Sequence, residues 1–263
     1  MAEKFANADA YERLMGRWSA RLAPLFVAFA RLRGGNRVLD VGCGTGSLTR
    51  ALADLPGQPA VAGIDRAQPF IDYCRQRHAD TRFAFECGNA MALPYPDDAF
   101  DHALSLLVFM FIPQPQKAAI EMRRVTRPCG TVAACTWDRD TALSTIFWGE
   151  ATKLDPSAEA RSERGWQCIC EGQLPALWRE AGMENIEETA LQMQAGFVSF
   201  DDFWLPLTGG TGATGVYVAG LSPENRDALR AALRRRLLGD RADGPITLPL
   251  KAWAVRGTVP VRT

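Results

Sequence analysis

The fold of this 263-residue chain is decided by one stretch, Arg37-Val38-Leu39-Asp40-Val41-Gly42-Cys43-Gly44-Thr45-Gly46. Its first half is a short apolar run of the kind that forms a buried strand in a parallel sheet. Its second half is a glycine cluster, and glycine permits positive φ and close approach of a ligand to the backbone. A helix predicted over residues 47–55 would follow and present free N–H donors at its N-terminus. The stretch therefore predicts a ligand-binding turn at the carboxyl end of a strand, where open α/β sheets bind ligands.

Three side chains around this turn narrow the kind of ligand, since nucleotide-binding enzymes of many kinds share a glycine-rich turn. Asp65 ends the next apolar run, nineteen residues after Gly46, where a carboxylate can accept both hydroxyls of an adenosine ribose. Ser47 stands where the dinucleotide fingerprint requires a third glycine. Asp40 would repel a pyrophosphate but suits the amino group of a methionine moiety. The alternative for Asp40 is a carboxylate that caps the helix or the loop.

Apolar runs alternate with helical patterns along the first half of the chain. Further strands are predicted at residues 60–64, 82–87, 103–108 and 131–137, and helices at 69–78 and 116–126. Connections of helical length between the strands indicate a parallel sheet with helices on both faces. Residues 7–33 favour one or two amphipathic helices, with Pro24 expected at a helix start.

The regularity loosens after Trp137, where loop and helix are expected over residues 138–167. Helices are predicted at 172–181 and 223–238, and strands at 186–194 and 246–255. No internal repeat or low-complexity linker interrupts the chain, so we expect a single domain over residues 1–263. Within it, residues 1–33 would form N-terminal helices over the ligand, 34–137 the ligand-binding core, and 196–244 a cap inserted before the last strand.

Charge and composition exclude several classes of function. Lys+Arg and Asp+Glu both number 30, so nucleic acid is not an expected partner, and the cluster Arg234-Arg235-Arg236 is interpreted as a solvated helix face. No signal peptide and no apolar stretch of membrane-spanning length is present, so we expect a cytoplasmic protein without stable membrane insertion. The seven cysteines are odd in number and scattered, which favours a reducing compartment. Cys168 and Cys170 are the one close pair, and without spaced soft ligands around them no metal site is expected.

Four further motifs follow the glycine turn in order, and together they carry a resemblance to a known family. They are Gly63-Ile64-Asp65, Gly88-Asn89-Ala90-Met91-Ala92-Leu93-Pro94-Tyr95, Phe100-Asp101, and Arg124-Val125-Thr126-Arg127-Pro128-Cys129-Gly130. With the turn, they resemble the class I S-adenosylmethionine-dependent methyltransferases, in particular the quinone-biosynthesis-like, type 11 branch. The resemblance covers residues 9–137 strongly. It implies a Rossmann-like α/β fold with a seven-stranded, mostly parallel sheet, helices on both faces and an antiparallel last strand.

The resemblance also implies a cofactor, S-adenosyl-L-methionine, and the residues that bind it. By this resemblance Asp40, Gly42, Cys43 and Gly44 would hold the methionine end, and Asp65 the ribose. Arg66 and Phe70 would lie near the adenine, Asn89 and Ala90 at its edge, and Leu106 beneath the cofactor. The family usually has an aspartate where this chain has Asn89, and an amide can still accept from the adenine amine. A second departure, Cys129 for a common glycine, affects a turn more than the site.

The segment Tyr11-Glu12-Arg13-Leu14-Met15-Gly16-Arg17-Trp18 is similar to an N-terminal segment of the same branch that folds over the cofactor. By that similarity, Arg17 would pair with the cofactor carboxylate and Tyr11 would close the pocket. The alternative is that both are surface residues of a helix whose Trp18 packs on the sheet. The residues do not decide between the two.

The acceptor pocket is expected among the aromatic side chains of the second half. Trp137 ends a predicted strand on the ligand side, and Phe203 and Trp204 fall in the predicted cap, so these three are the candidates. No catalytic base is assigned: His78 and His102 are interpreted as structural, and Asp201, Asp202 and Tyr11 are possible bases with nothing to place them near a nucleophile.

The main hypothesis is methyl transfer from S-adenosylmethionine to a small, possibly lipophilic acceptor by in-line displacement. One alternative is a nicotinamide-dependent oxidoreductase, against which Ser47 argues. Another is a non-catalytic S-adenosylmethionine-binding regulator, which would keep the cofactor motifs. A nucleic-acid methyltransferase is disfavoured by the neutral charge and by the absence of an Asn/Asp-Pro-Pro-aromatic tetrapeptide.

Overall fold

A computed structural model describes residues 8–32 and 37–261 of the chain. Its seven strands form one sheet in the order β3-β2-β1-β4-β5-β7-β6. The strands are β1 (Arg37–Val41), β2 (Ala60–Asp65), β3 (Phe83–Cys87), β4 (Phe100–Leu106), β5 (Thr126–Trp137), β6 (Glu184–Phe197) and β7 (Ile246–Thr258). Neighbours are parallel from β3 to β5, whereas β7 is antiparallel to both β5 and β6. The predicted mostly parallel sheet with an antiparallel last strand is confirmed.

Helices precede β1 and fill most of the connections between the strands. They are α1 (Ala8–Tyr11), a π-helical turn Glu12–Gly16, α2 (Arg17–Ala30), α3 (Ser47–Ala53), α4 (Gln68–Arg77), α5 (Pro115–Val125), α6 (Ala142–Leu154), α7 (Gln173–Glu180), α8 (Phe200–Trp204), α9 (Gly212–Ala219) and α10 (Pro223–Leu238). Among the described residues, no helix combines the length and the apolar content that crossing a membrane would take.

Both faces of the sheet are covered by helices, because alternate residues of one strand enter different hydrophobic clusters. Leu39 packs in a cluster that includes Met122 of α5 and Trp178 of α7. Its neighbour Val38 packs in a cluster that includes Phe26 of α2. The predicted two-sided arrangement of helices is thereby confirmed.

The strand order reverses direction between β1 and β4, so the carboxyl ends of these two strands form a switch point. The chain passes from β1 outward through β2 and β3, then returns to β4 on the other side of β1. Ligands in open α/β sheets bind at such a reversal, at the carboxyl ends of the strands. The glycine turn after β1, Asp65 at the end of β2 and Leu106 at the end of β4 all lie at these ends.

Several predicted boundaries are shifted, among them that of the fourth strand, which is Phe100–Leu106 and not 103–108. Two of the differences have a clear structural reason. Pro24 lies inside α2 and not at a helix start, and its ring faces solvent while Leu22 and Phe26 are fully buried, so packing of the helix outweighs the missing N–H. β5 begins at Thr126, ahead of the expected break at residues 128–130. The strand continues because Cys129 adopts a φ of +64° and its N–H donates to the carbonyl oxygen of Val259 at 2.9 Å.

The chain between β6 and β7 is largely helical. It contains α8, a 3-10 turn Leu205–Thr208, α9 and α10, over the residues for which a cap is predicted. Phe203 and Tyr217 from this segment share a hydrophobic cluster with Phe147 of α6 and Leu248 of β7. The segment is therefore packed on the end of the sheet that carries β6 and β7.

Candidate functional site

The glycine turn after β1 is folded tightly against the ends of β2 and β4. The N–H groups of Gly42 and Cys43 both donate to the carbonyl oxygen of Ile64, at 2.7 and 3.0 Å. Gly42 has a φ of +74°, and a Cβ there would lie 2.4 Å from Val108 Cγ2. Gly44 has a φ of +53°, and a Cβ there would meet nothing within 4 Å. Packing thus requires glycine at position 42, whereas glycine at position 44 leaves open space beside the turn.

Asp65 connects the end of β2 to this turn. Its Oδ2 accepts a hydrogen bond from the Gly44 N–H at 3.0 Å, and its Oδ1 accepts one from the Ala67 N–H at 2.9 Å. Burial raises the pKa of the Asp65 carboxyl above its usual value, and the two N–H donors act against that rise. Each carboxylate oxygen can accept a second hydrogen bond. Asp65 therefore has the position and the acceptor capacity that binding a ribose would require.

Asp40 lies beneath the turn and does not line the cavity beside it. Its side chain is fully buried, and Oδ2 accepts a hydrogen bond from Thr49 Oγ1 at 2.7 Å. The other oxygen, Oδ1, has no hydrogen-bond partner within the part of the chain that the structure describes. Burial raises the pKa of the Asp40 carboxyl to about 7. The bond to α3 supports the capping alternative, while Oδ1 keeps an acceptor that a cationic amino group could use.

A cavity, here called the turn cavity, opens at the carboxyl ends of β1, β2 and β4. Nine residues predicted to bind the cofactor line it: Tyr11, Gly42, Gly44, Asp65, Arg66, Phe70, Asn89, Ala90 and Leu106. The rest of its wall is mostly apolar and includes Ile64, Met91, Leu107 and Phe111. The structure therefore brings together, around one space, most of the positions that the resemblance implies.

Two other predicted residues lie away from the turn cavity for different reasons. Cys43 turns its side chain into a small buried cluster with Cys74 and Phe85. Arg17 faces another cavity and donates to Oδ1 and to the carbonyl oxygen of Asp202, at 2.8 and 3.0 Å. The structure thus places Arg17 on this other cavity and pairs its two terminal nitrogens with Asp202, while its Nε has no partner among the described residues.

The other cavity, here called the aromatic cavity, has a volume of about 1200 Å³ including its open mouth. Aromatic rings form much of its wall: Trp18, Phe111, Trp137, Phe147, Trp166, Phe197 and Phe203. The predicted pocket residues Trp137 and Phe203 are among them. Trp204 is not, because its ring stacks on that of Phe200 with centroids 6.5 Å apart and is 4% exposed.

Two carboxylates also line the aromatic cavity, and both are held by indole N–H groups. Glu163 Oε2 accepts from Trp148 Nε1 at 2.5 Å and from Ser144 Oγ at 3.2 Å. Asp138 accepts from the indole of Trp253 and forms an ion pair with Lys251 at 3.2 Å. No sequence motif indicates these carboxylates, since they follow β5 in a region without regular patterning.

The two cavities share one wall, formed by Tyr11, Leu107 and Phe111. The Tyr11 ring packs against Phe70 with centroids 5.3 Å apart. Burial raises the pKa of the Tyr11 phenol to about 12, so the phenol keeps its proton at neutral pH. Tyr11 therefore lies between the two cavities, and its role in closing the cofactor pocket stays a prediction.

The remaining candidate bases are engaged elsewhere. Asp201 pairs with Arg230 at 2.7 Å, and Asp202 is bound by Arg17. His102 is buried in β4, where its Nδ1 accepts from the Thr131 N–H at 3.0 Å, in agreement with a structural role. Over the described residues, no group of three or more His, Cys, Asp or Glu side chains could hold a metal ion.

Part of this chain matches a known protein family. Residues 39–134, which run from β1 into β5, match a family model described as a methyltransferase domain. An uncharacterized protein of Mycobacterium bovis is 36% identical over 120 residues, which are 45% of this chain and 43% of that protein. A demethylmenaquinone methyltransferase of Bacillus licheniformis is 27% identical over 197 residues, covering 69% of this chain and 78% of the relative.

Solved structures share the fold. Phosphoethanolamine N-methyltransferase 2 of Haemonchus contortus, in complex with phosphomonomethylethanolamine and S-adenosylhomocysteine, superposes with a TM-score of 0.60 at 20% identity. The match covers 97% of this chain and 57% of that one. This chain also spans less than half of the mycobacterial relative. Residues 39–134 therefore carry a methyltransferase domain, and the chain around them is similar to S-adenosylmethionine-dependent methyltransferases in sheet order and fold.

Proposed function

We propose that the protein transfers a methyl group from S-adenosylmethionine to a small, largely apolar acceptor by in-line displacement. One observation carries this proposal: the turn cavity and the aromatic cavity meet at the wall of Tyr11, Leu107 and Phe111. A cofactor in the first and an acceptor in the second would lie on either side of these three residues and would meet between their side chains. Direct transfer requires such a meeting, with the methyl carbon and the nucleophile about 3–3.5 Å apart.

The residues around the turn cavity fit the parts of the cofactor. Asp65 would accept hydrogen bonds from the ribose hydroxyls, Phe70 would lie against the adenine, and Asn89 would meet the adenine edge. The open space at Gly44 would admit the methionine end beside the turn, beneath which Asp40 Oδ1 is buried without a partner among the described residues. When bound, the cofactor supplies an activated methyl group on a cationic sulfur.

The shared wall suits a reaction in which positive charge disperses. Tyr11 and Phe111 present aromatic rings there, and the face of a ring attracts a cation. The apolar wall would also keep water away from the sulfonium and the nucleophile. The protein's main contribution would be alignment and exclusion of water.

The lining of the aromatic cavity supports an apolar or aromatic acceptor. The Bacillus relative is named for a demethylmenaquinone acceptor, whereas the Haemonchus enzyme is bound to phosphomonomethylethanolamine. Aromatic rings dominate this cavity, and the two terminal nitrogens of Arg17 on its wall already donate to Asp202. These features favour an apolar acceptor over one that carries a phosphate.

Calorimetric titration with S-adenosylmethionine tests the cofactor site. A methyl group at position 44 would project into the open space beside the turn, so Gly44→Ala should weaken binding by at least about tenfold. Gly172→Ala is the matched control, since Gly172 also has a positive φ, of +80°, a Cβ there also meets nothing within 4 Å, and the residue lies outside both cavities. Equal affinity in the two folded variants would show that the cofactor site is assigned wrongly.

Transfer itself is measured with tritium-labelled cofactor and a panel of quinols, phenols, thiols and amines. Label is expected in the aromatic members of the panel. NADH binding without S-adenosylmethionine binding would favour the nicotinamide-dependent oxidoreductase instead. Tight cofactor binding without label in any acceptor would favour the non-catalytic regulator.

A further inference from the structure

We propose that Leu107 sets the size of the opening between the turn cavity and the aromatic cavity. Its side chain thereby limits which group on the cofactor sulfur can extend into the aromatic cavity and which acceptor can approach that group. This inference rests on the proposed function. It concerns a residue that no motif indicated, next to Leu106, whose predicted place is beneath the cofactor. Three observations on this one residue support it.

The backbone of Leu107 is strained. Its φ is +62°, in the left-handed region that is disfavoured for residues with a branched side chain. The other non-glycine residues with positive φ in the described ranges are Arg31, Gln58, Asp98, Cys129, Cys168 and Asn185. Leu107 is thus the one aliphatic residue among them. Strain of this kind persists where the surroundings impose it, and it is concentrated at functional sites.

The surroundings of Leu107 impose this conformation from both sides. Its N–H donates to the carbonyl oxygen of Cys135 in β5 at 2.7 Å, directly after β4 ends at Leu106. The following residue, Val108, fills the space at Gly42, where no Cβ would fit. The chain is therefore held at positions 107 and 108, and the left-handed turn directs the Leu107 side chain to the boundary between the cavities.

The side chain of Leu107 forms part of both cavity walls, whereas its neighbours each line one. Leu106 lines the turn cavity alone, and Met110 lines the aromatic cavity alone. Leu107 is 6% exposed and shares the common wall with the rings of Tyr11 and Phe111. Of these three, Leu107 is the flexible aliphatic member, so its volume can change without removing a ring from the wall.

The test uses binding and needs no knowledge of the acceptor. S-adenosylhomocysteine, which carries no transferable group, is compared by calorimetry with the sulfonium analogue that carries benzyl in place of methyl. Leu107→Gly should tighten the benzyl analogue relative to S-adenosylhomocysteine by at least about tenfold, and Leu107→Phe should weaken it by a similar factor. Glycine adopts positive φ without strain, so Leu107→Gly is expected to fold. Gln58→Gly, which relieves a similar positive φ of +46° at a residue outside both cavities, should leave the ratio as it is in the unsubstituted protein.

The two ways of failing are distinguishable. If S-adenosylhomocysteine binds but the ratio stays constant in both Leu107→Gly and Leu107→Phe, Leu107 does not set the opening. The same conclusion follows if Gln58→Gly changes the ratio as much as Leu107→Gly does. If S-adenosylhomocysteine binds none of the folded proteins, the proposed cofactor is wrong and the inference falls with it.

Discussion

Replacing Asp40 by asparagine should stabilise the unliganded protein at alkaline pH and have less effect in acid. Asparagine keeps the shape of the side chain and can still accept the hydrogen bond from Thr49 Oγ1. It removes a carboxyl that is fully buried and has one oxygen without a partner among the described residues. An ionised form of that carboxyl is costly, which is why its pKa is raised from 3.8 to about 7.

The sign and the size of the effect follow from that pKa. Because the folded-state pKa lies above the unfolded-state value, the folded protein holds the proton more tightly, and stability is lost as pH rises through about 7. A rise from 3.8 to about 7, at about 1.4 kcal/mol per pH unit, corresponds to a loss on the order of 4 kcal/mol. Roughly 3 kcal/mol of this loss of stability occurs between pH 5 and pH 8.

Urea unfolding of both proteins at pH 5 and pH 8 measures this difference. The unsubstituted protein should lose about 3 kcal/mol more than Asp40→Asn over that interval. An equal pH dependence of the two proteins would refute the burial argument. Saturating S-adenosylhomocysteine adds a test of the site: if its ammonium group contacts Asp40 Oδ1, the ligand should reduce the difference, and an unchanged difference would leave Asp40 with the capping role alone.

Three further outcomes are expected from the geometry around the aromatic cavity. A double-mutant cycle on Arg17→Ala and Asp202→Ala should give a coupling energy of about 1 kcal/mol in urea unfolding, and no coupling would mean that this partly exposed pair does not tie α2 to α8. Tyr11→Phe should leave the pH profile of transfer unchanged up to about pH 10, since a phenol whose pKa is about 12 does not titrate there. If a titration step disappeared from the profile in Tyr11→Phe, the raised pKa of this phenol would be wrong. Phe203→Ala and Trp204→Ala should each destabilise the fold by about 3–5 kcal/mol in thermal unfolding, but Phe203→Ala alone should raise the acceptor KM, because Trp204 lies outside the cavity.

The carboxyl ends of β1, β2 and β4 could be predicted in detail because their residues act through local geometry. A strand followed by a glycine turn and a helix identifies the end of the sheet at which a ligand binds. The apolar run that predicts the next strand ends at Asp65, which places this carboxylate at the same end of the sheet. Pro24 and the start of β5 were mispredicted for a related reason. Local propensity disfavours both, and packing of α2 and the left-handed Cys129 override it.

Local sequence patterns do not predict the ion-pair partner of Arg17. Its motif suggested a partner on the cofactor, but the structure pairs it with Asp202, which lies 185 residues away in the chain. A long cationic side chain is bound by whichever carboxylate packing brings near it, and no sequence period carries that information. Trp204 is a similar case, since it and Phe203 are neighbours in α8 and point to different surroundings.

By itself the sequence determined the sheet, the glycine turn and most of the residues around the turn cavity, because each depends on strand order and on backbone conformations that glycine permits. Tertiary structure alone decided the aromatic cavity, whose wall draws on residues from Tyr11 to Leu250. It also decided the left-handed conformation of Leu107, which contacts from β5 and from Val108 impose. Burial and long-range packing create such features, and they exist only once distant segments have met.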